Sequence, residues 1–391
     1  MTGPLTGPLA GLKVVEMAAI GPVPFAGMTL ADMGATVVRV DRILSAGLGV
    51  EVAPRFDFMA RGKQSIAVDL KHPDGLAVVR RLIADADVVI EGFRPGVMER
   101  IGLGPDGCLE ANPKLIFGRC SGWGPKGPWA NAAGHDINFV GLSGALAAMG
   151  VAGAPTPPLN LIGDFGGAAM HLVSGVLAAL LSAHATGRGQ VVTTSIAQGA
   201  VALMPMIYGL HAAGDWTLTR GDNSLDGGAP YYRCYETSDG RYMAAAPIEK
   251  KFYGEFLRLL GLDGEVDAAQ QNDRATWAAT TARFARRFRE RSQADWSTVF
   301  SGSDACVTPV LDMSEAPDHP QQAAAFVAVD GLVQPGPGIG FSGAMPGVPT
   351  PPPEIGQDTA MVLRDFGYSI EIIDNYIKSG VLAKAVPRGR P

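Results

Sequence analysis

The stretch LKVVEMAAIGPVPFAGMTLADMGATVVRVDR, residues 12–42, decides the fold of the chain. Its run Leu12–Met17 is apolar and β-branched, as is typical of a strand, and Ala35–Val40 is a second run of the same kind. Between them, Pro22–Met33 begins with proline and has the apolar spacing of a helix. Two strands around one helix predict a βαβ unit with parallel strands.

The same alternation of strands and helices continues along the chain. The further predicted elements are a helix at Gly75–Ala84, a strand at Asp87–Glu91, a short helix near Gly96–Ile101, a strand at Leu115–Arg119, a helix from about Ile137 to Met149, a long apolar helix at Ala168–Ala185 and a strand at Gln190–Ile196. This order predicts an α/β fold with a Rossmann-like large domain built on a mostly parallel sheet.

A smaller α+β domain is predicted beyond the turn-rich residues 222–230. Tyr231–Tyr235 and Arg241–Ala245 resemble the strands of a hairpin, and helices are expected over residues 251–260, 277–290 and 293–300. We therefore divide the chain into a large domain at 1–200, a linker at 201–224, the small domain at 225–312 and a return linker at 313–324. Residues 325–391 complete the large domain, with a helical segment near 359–379.

Composition excludes several classes of protein. Of 391 residues, 47% are hydrophobic and 18% charged, which indicates a compact globular enzyme and not a disordered chain. The net charge of −6 indicates no nucleic-acid partner. The four cysteines form no CxxC pair, so we expect no disulfide framework and no metal site, and the reducing cytoplasm is the predicted location.

Neither the termini nor the apolar segments predict a membrane or organelle address. Residues 1–12 lack a basic residue before an apolar core, and the sequence ends in Arg388-Gly389-Arg390-Pro391, which is not a peroxisomal signal. The apolar window Ala168–Ala185 contains two histidines and two serines, so we expect a buried helix and no membrane span.

Common catalytic and nucleotide signatures are missing. The loop Gly21–Gly27 follows the first strand, but its spacing is not GxGxxG, so no dinucleotide site is predicted. The sequence contains no GxSxG, GxxxxGK[ST] or HExxH motif. Asp41-Arg42 after the second strand suits either a phosphate contact or a plain surface ion pair.

Two polar residues stand at predicted helix starts. His135 lies in Gly134-His135-Asp136-Ile137-Asn138, and Asp164 lies in Gly163-Asp164-Phe165-Gly166-Gly167, at a predicted loop-to-helix junction. Taken singly, each is equally explained as a helix cap.

Seven stretches together resemble the α-methylacyl-CoA racemase branch of the class III (formyl-CoA transferase-like) CoA-transferase superfamily. They are LKVVE (12–16), LADMGA (30–35), VVRVDR (37–42), GHDIN (134–138), PLNLIGDFGG (158–167), LDGGAPYY (225–232) and SDACVTPV (303–310). They occur in the family's order between about residues 9 and 315. The resemblance implies an interlocked homodimer and an acyl-CoA substrate, with coenzyme A part of the substrate and no separate cofactor.

The resemblance also implies roles for particular residues. His135 and Asp164 would transfer protons, Glu249 would bond to His135 from the small domain, and Asp136 would support the pair. The implied contacts to substrate and CoA are Arg42, Val68, Asp69, Leu70, Lys71, Arg94, Arg100, Gly134, Ile137, Asn138 and Phe139. Gln64 and Lys250-Lys251 depart from the family pattern, which leaves CoA affinity and small-domain details open.

This pair suits inversion of the carbon beside a thioester. The thioester acidifies the α-hydrogen, and an acid and a base on opposite faces of the enolate suffice for racemisation. An ordinary aspartic acid is only about one part in a thousand protonated at pH 7, so burial must raise the pKa of Asp164. The alternative is a CoA-transferase, in which an aspartate attacks the thioester to form an anhydride. Relatives of that kind lack the histidine.

The sequence leaves the acyl group open among sterol side chains, branched fatty acids and arylpropionyl groups. Met204, Met206 and Met243 either line an adaptable acyl surface or pack in the core.

Overall fold

The structure is a computed structural model, and it describes residues 7–44, 47, 49–50, 52–151, 153–344 and 346–385. The predictions about the first six residues and about Arg388–Pro391 concern residues outside these ranges. The strands are, in chain order, β1 (Lys13–Met17), β2 (Thr36–Asp41), β3 (Lys63–Val68), β4 (Val88–Glu91), β5 (Ile116–Ser121), β6 (Gln190–Ser195), β7 (Arg233–Glu236), β8 (Tyr242–Ala245), β9 (Val307–Pro309), β10 (Phe326–Val329), β11 (Leu332–Pro335) and β12 (Leu382–Ala383).

Helices alternate with these strands through most of the chain. The α-helices are α1 (Pro22–Asp32), α2 (Pro73–Ala84), α3 (Val97–Arg100), α4 (Pro105–Ala111), α5 (Asp136–Gly141), α6 (Ala145–Ala148), α7 (Met170–Thr186), α8 (Ile196–Ala202), α9 (Pro205–Ala213), α10 (Lys250–Leu260), α11 (Arg274–Phe288), α12 (Gln293–Phe300), α13 (Thr359–Asp365) and α14 (Ile370–Lys378). A π-helical segment, Leu161–Ala169, runs directly into α7. Short 3₁₀ turns occupy Pro54–Phe56, Phe58–Ala60, Ala268–Gln270, Ala316–Asp318 and Ala323–Ala325.

The described residues pack as two compact units. The large unit contains the chain up to Ser143, Leu159–Leu203 and the chain from Ala324 onward, and the small unit contains Gly144–Pro158 and Met204–Ala323. This division differs from the predicted boundaries in three places. Residues 144–158 belong to the small unit, and so do most of the predicted linker at 201–224 and most of the predicted return linker at 313–324.

The large unit is built on a seven-stranded sheet in the order β12-β3-β2-β1-β4-β5-β6. The strands β1 to β6 are parallel to their neighbours, and only β12 pairs antiparallel, with β3. The order 3-2-1-4-5-6 is that of a Rossmann fold. The predicted α/β class and mostly parallel sheet are confirmed.

Both faces of this sheet are covered by helices, which explains why its strands are nearly continuous apolar runs. On one face, α2 contributes Val78 and Leu82, and the C-terminal helices contribute Leu363 and Ile373. On the other face, α1 and α7 bury apolar residues including Leu30, Leu172 and Val176.

The small unit has an antiparallel sheet in the order β7-β8-β9, with the predicted hairpin as its first two strands. Its core is aromatic. Phe256, Phe284, Phe288 and Trp296 are fully buried side chains of α10, α11 and α12, and their rings pack against one another in edge-to-face and tilted arrangements.

Two predicted helices differ from the structure, and one of the observed strands was not predicted. The helix expected at 137–149 is two short helices, α5 and α6, because Gly144 adopts a left-handed φ of 83° that ends helical geometry. The final helix is likewise split into α13 and α14, with Gly367 at φ 80° between them. The strand β3 was not predicted, since its run KQSIAV carries two polar residues and a serine among its apolar ones.

One helical stretch of the described chain, Leu161–Thr186, is long and apolar enough to cross a membrane. The helices α8 and α9 reach the same length and hydropathy only if they are taken together as one bent helix. Core helices of globular proteins reach this length and hydropathy too. Leu172, Val173 and Val176 of this stretch pack in the core against the sheet, while 39% of its most apolar window is buried, so the expected buried helix is buried on one side only.

Candidate active site

A cleft of about 990 Å³ opens at the carboxyl end of the large unit's sheet. Its walls come from the segment after β1, the first turns of α1, the end of β2, His135, the π-helical segment and residues 335–339. In this strand order the topology reverses between β1 and β4, where Rossmann folds bind their ligands. The volume suits an organic ligand of substantial size.

His135 is the N-cap residue of α5, with extended backbone at φ −129° and ψ 173°. Its backbone N–H donates to Asn138 Oδ1 at 3.0 Å, which holds the turn closed. The preceding Gly134 packs directly on two aromatic rings, since a Cβ there would come within 2.8 Å of Phe139 and 3.1 Å of Trp123. Phe139 is buried, so the loop that carries the exposed imidazole rests on a rigid base.

The sequence placed Asp164 at a loop-to-helix junction, and this placement is wrong. Asp164 lies inside the π-helical segment Leu161–Ala169, where its backbone N–H donates to Asp136 Oδ1 at 2.7 Å. The neighbouring Gly163 leaves room for that carboxylate, because a Cβ at Gly163 would be 2.2 Å from the same oxygen. Asp136 therefore ties the start of α5 to the segment that carries Asp164.

The carboxyl group of Asp164 is half-buried on the cleft wall. Burial raises its pKa from 3.8 to about 6, and the negative charge of Asp136 adds to the rise. A hydrogen bond from Asn160 Nδ2 at 3.4 Å and the proximity of His135 offset part of it. The expected rise in the pKa of this aspartate has a physical basis in the structure.

The surroundings of Asp136 disfavour its ionised form as well. Burial raises its pKa, although the backbone N–H groups of Asp164 and Gly163 oppose that rise. Its Oδ2 is buried and has no hydrogen-bond partner among the described residues. Two close carboxyl groups disfavour double ionisation, so Asp136 promotes protonation of Asp164.

Gly21 is a site residue that the sequence analysis missed. Its backbone, at φ 70°, lies against the Asp164 carboxyl group, and a Cβ there would be 2.8 Å from Oδ2. One turn further along α1, Phe25 stacks on Phe165 with ring centroids 4.4 Å apart. The glycine-rich loop Gly21–Gly27 is the sequence signal for this contact, although its spacing does not match a dinucleotide site.

Most charges on the cleft wall are paired with each other. Arg39 Nε bonds to Asp41 at 2.8 Å, and Arg61 bonds to Asp32 at 2.6 Å. Arg42 differs, because it is exposed on the cleft wall and makes no ion pair with a described residue. It is therefore available to an anionic ligand.

The other predicted CoA contacts follow parallel strands but do not line the cleft. Val68 ends β3 and is buried, Asp69 and Leu70 are partly buried, and Lys71 is exposed. Arg94 follows β4 and Arg100 ends α3, both exposed. All these positions lie at or beyond the carboxyl edge of the sheet, as Arg42 does. Their contacts with CoA stay predictions.

The remaining predicted residues are divided between the two units. Ile137 and Asn138 are exposed on α5 beside His135. Glu249 is the exposed N-cap residue of α10 in the small unit, so its predicted bond to His135 stays a prediction. Met243 is fully buried in the small unit's core, whereas Met206 is 63% exposed. Core packing therefore explains Met243.

No group of three or more His, Cys, Asp or Glu side chains among the described residues is arranged to hold a metal ion. Cys120 near the site is buried, and burial raises the pKa of its thiol to about 12, so it is a poor nucleophile.

Comparison with known proteins identifies the family. The model of CoA-transferase family III matches residues 9–359. α-Methylacyl-CoA racemase of Mus musculus is 44% identical over 371 residues, covering 93% of this chain and 95% of the mouse protein. The Homo sapiens racemase is 40% identical over 373 residues, covering 93% and 95%.

A solved structure agrees with this assignment. A CaiB/BaiF family protein from Brucella suis has a TM-score of 0.77 and 26% identity, covering 92% of this chain and all of that one. The resemblance inferred from the seven sequence stretches is thereby confirmed, and the chain belongs to CoA-transferase family III.

Proposed function

We propose that this protein is an α-methylacyl-CoA racemase, which interconverts (R)- and (S)-2-methylacyl-CoA thioesters by proton transfer through an enolate. The observation that carries the proposal is the pairing of His135 with a half-buried Asp164 on the wall of one cleft. The racemases at 40% and 44% identity over nearly the full length support the same activity.

The reaction needs one proton shared between the two residues. Starting from neutral His135 and protonated Asp164, the imidazole removes the α-hydrogen on one face, and the electron pair moves onto the thioester oxygen as an enolate. Asp164 then gives its proton to the other face of the α-carbon. The pair ends as imidazolium and carboxylate, which is the starting state for the reverse direction.

The raised pKa of Asp164 supports this role. At pH 7 a carboxyl group with a pKa of about 6 is protonated in about one molecule in ten, against about one in a thousand for an ordinary aspartic acid. Burial and the neighbouring Asp136 therefore raise the protonated fraction of Asp164 at pH 7 by about a hundredfold.

Arg42 is proposed to hold a phosphate of the CoA part, and Arg94 with Arg100 and the 68–71 segment to extend that contact. Arg42 follows β2 directly and makes no ion pair with a described residue. Such an arginine suits a phosphate because guanidinium groups bind its oxygens with two hydrogen bonds. These contacts are remote from the α-carbon, so they act on binding more than on chemistry.

The alternative activity is transfer of CoA between carboxylic acids, with Asp164 as the nucleophile. The histidine on the cleft wall argues against it, since an anhydride mechanism has no need of a second proton-transfer residue there.

We further propose an interlocked homodimer in the cytoplasm, without a separate cofactor, a nucleic-acid partner or a membrane span. The family resemblance supports the dimer, and the absence of a CxxC pair in the sequence suits a reducing compartment.

The test is incubation of one pure enantiomer of a 2-methylacyl-CoA in deuterated water, without any acceptor acid. We expect a nearly equal mixture of epimers with deuterium at the α-carbon, measured by chiral chromatography and mass spectrometry. An intact chiral centre, together with CoA transfer to an added carboxylate, would establish the transferase instead.

A further inference from the structure

A buried ion pair lies beneath the cleft, on the face of the sheet that α1 covers. Lys63 at the start of β3 bonds to Glu16 of β1, with Nζ and Oε2 2.6 Å apart and both side chains fully buried. The two strands are not neighbours, because β2 lies between them. The pair therefore bridges the sheet directly under the helix.

Stability alone is a weak explanation for such a pair. Removing two charges from water costs several kcal/mol per ion, and replacing a buried ion pair by apolar residues is often neutral or stabilising. Burial lowers the pKa of Lys63 and raises that of Glu16, which shows the same cost. Glu16 Oε1 is buried and has no hydrogen-bond partner among the described residues.

The pair has a direct contact with the first turn of α1. Lys63 Nζ donates a second hydrogen bond, of 2.9 Å, to the carbonyl oxygen of Pro24. Gly27, one turn later, is the only kind of residue that fits over the pair, since a Cβ there would be 1.8 Å from Glu16 Oε2. The Lys63 ammonium group thus holds the first turn of α1 at a fixed distance from the sheet.

That same turn forms one wall around Asp164. Gly21, three residues before Pro24, packs against the Asp164 carboxyl group. A Cβ at this position would lie 2.8 Å from Oδ2. Phe25, just after Pro24, stacks on Phe165. A movement of Pro24 would therefore change the surroundings of Asp164. The loop of His135 rests on Asn138, Phe139 and Trp123 instead.

We propose that Lys63, held by Glu16, is a positioning residue for Asp164 and acts through the Pro24 carbonyl and the first turn of α1. The proposal rests on the proposed racemase function. It predicts that loss of the pair affects proton transfer on the Asp164 side of the substrate and spares the His135 side.

The test variant is Glu16→Leu/Lys63→Met, which removes both charges at similar volume and leaves no unpaired ion. We measure exchange of the α-hydrogen with deuterated water separately for each enantiomer. The Asp164 side is the enantiomer whose exchange is lost in Asp164→Asn. We expect that side to slow by about tenfold or more, since displacements of about 1 Å have such effects. The other side and KM should change by less than about twofold, and the melting temperature should be unchanged or higher.

The control is Glu91→Leu/Arg119→Met, which removes an ion pair between β4 and β5 of the same sheet. Glu91 is buried, whereas Arg119 is 20% exposed and also pairs with the exposed Glu99. This pair has no bond to α1, so we expect no preference between the enantiomers. Glu16→Gln/Lys63→Met repeats the test with a more conservative change if the first variant does not fold.

Equal slowing of both enantiomers, or no slowing of either, would overturn the positioning role. Failure of the unmodified protein to exchange either enantiomer would instead overturn the proposed racemase function, so the two failures are distinct.

Discussion

His135 and Asp164 share one cleft but are held in opposite ways. His135 is exposed at the N-cap of a short helix and is fixed through its backbone and through the packing of Gly134. Asp164 is half-buried in a π-helical segment, beside a second carboxyl group. A histidine ring exchanges protons near neutral pH without help, whereas an aspartic acid must be shifted. The difference teaches that the fold raises the pKa of the aspartate by burying it beside a second carboxyl group.

The largest expected effect comes from replacing the carboxyl group of Asp164 by an amide, which cannot transfer the proton. Asp164→Asn should lower racemisation by about 10²–10⁴-fold, the usual contribution of a general acid or base. His135 remains, so the enantiomer whose α-hydrogen faces it should still exchange with deuterated water. Mass spectrometry of each enantiomer measures this. Racemisation at the unmodified rate in a variant with native circular dichroism would contradict the two-residue mechanism.

His135→Ala should give the mirrored result, with racemisation lowered by a similar factor and exchange retained on the Asp164 side. Under an anhydride mechanism, by contrast, Asp164→Asn would lose acyl transfer and His135→Ala would have little effect.

Arg42→Ala should affect both enantiomers alike, because its proposed phosphate contact is remote from the α-carbon. We expect KM to rise by about tenfold or more, as for a lost charge-assisted hydrogen bond, with kcat little changed. Steady-state kinetics on each enantiomer measure both constants. Arg188→Ala is the matched control, since Arg188 is exposed and precedes β6, at the opposite edge of the sheet. A large fall in kcat at unchanged KM would contradict this placement of CoA.

Asp136→Asn should affect the aspartate side through its pKa. Removing the negative charge favours ionised Asp164, so its pKa falls below about 6, and fewer molecules at pH 7 carry the proton. We expect the direction that uses Asp164 as the acid to slow by about three- to tenfold, up to one pKa unit. The profile of kcat/KM against pH should move to lower pH for that direction.

Asn160→Ala should shift the pKa of Asp164 in the opposite direction. The Asn160 hydrogen bond lowers the pKa of Asp164, so its loss should move the same profile to higher pH. Shifts of both variants in one direction would show that Asp164 is not the titrating group.

The smallest expected effect is on stability. The folded-state pKa of Asp164, about 6, lies above its ordinary value of 3.8, so the folded protein binds this proton more tightly than the unfolded chain. That contribution is complete below the ordinary value and is lost as pH rises through about 6. The neutral Asp164→Asn variant should therefore melt higher than the unmodified protein above pH 6, and the difference should shrink on acidification. A difference independent of pH would contradict the raised pKa.

Local patterns were enough for part of the molecule. The βαβ opening and the small-domain hairpin follow from apolar periodicity and turn residues, and the structure confirms both. His135 and Asp164 were identified because two short motifs occur together in a family's order, and both residues line the cleft.

Other features depend on residues far apart in the chain. The pKa of Asp164 depends on Asp136, 28 positions away, and the first turn of α1 depends on Lys63, 39 positions from Pro24. A lysine within a run such as KQSIAV is ordinarily a surface residue, so its burial was not predictable. The π-helical segment has no sequence signature that separates it from an α-helix.

The antiparallel strand β12 has a consequence for how the chain reaches its native state. Leu382 pairs with Val68, more than 300 residues earlier. Nearby on β3, the backbone N–H of Ser65 donates to Asp358. The Ser65 hydroxyl group donates to Asp41 and accepts from the backbone N–H of Gly356. During synthesis the outer edge of β3 therefore stays open until residues 382 and 383 have left the ribosome. Contacts of such sequence separation form slowly, and an unpaired apolar edge invites association with other chains. Nascent chains of this protein should need protection by chaperones until the last strand arrives, and truncation before residue 382 should lower the soluble yield more than it lowers the activity of the chains that fold.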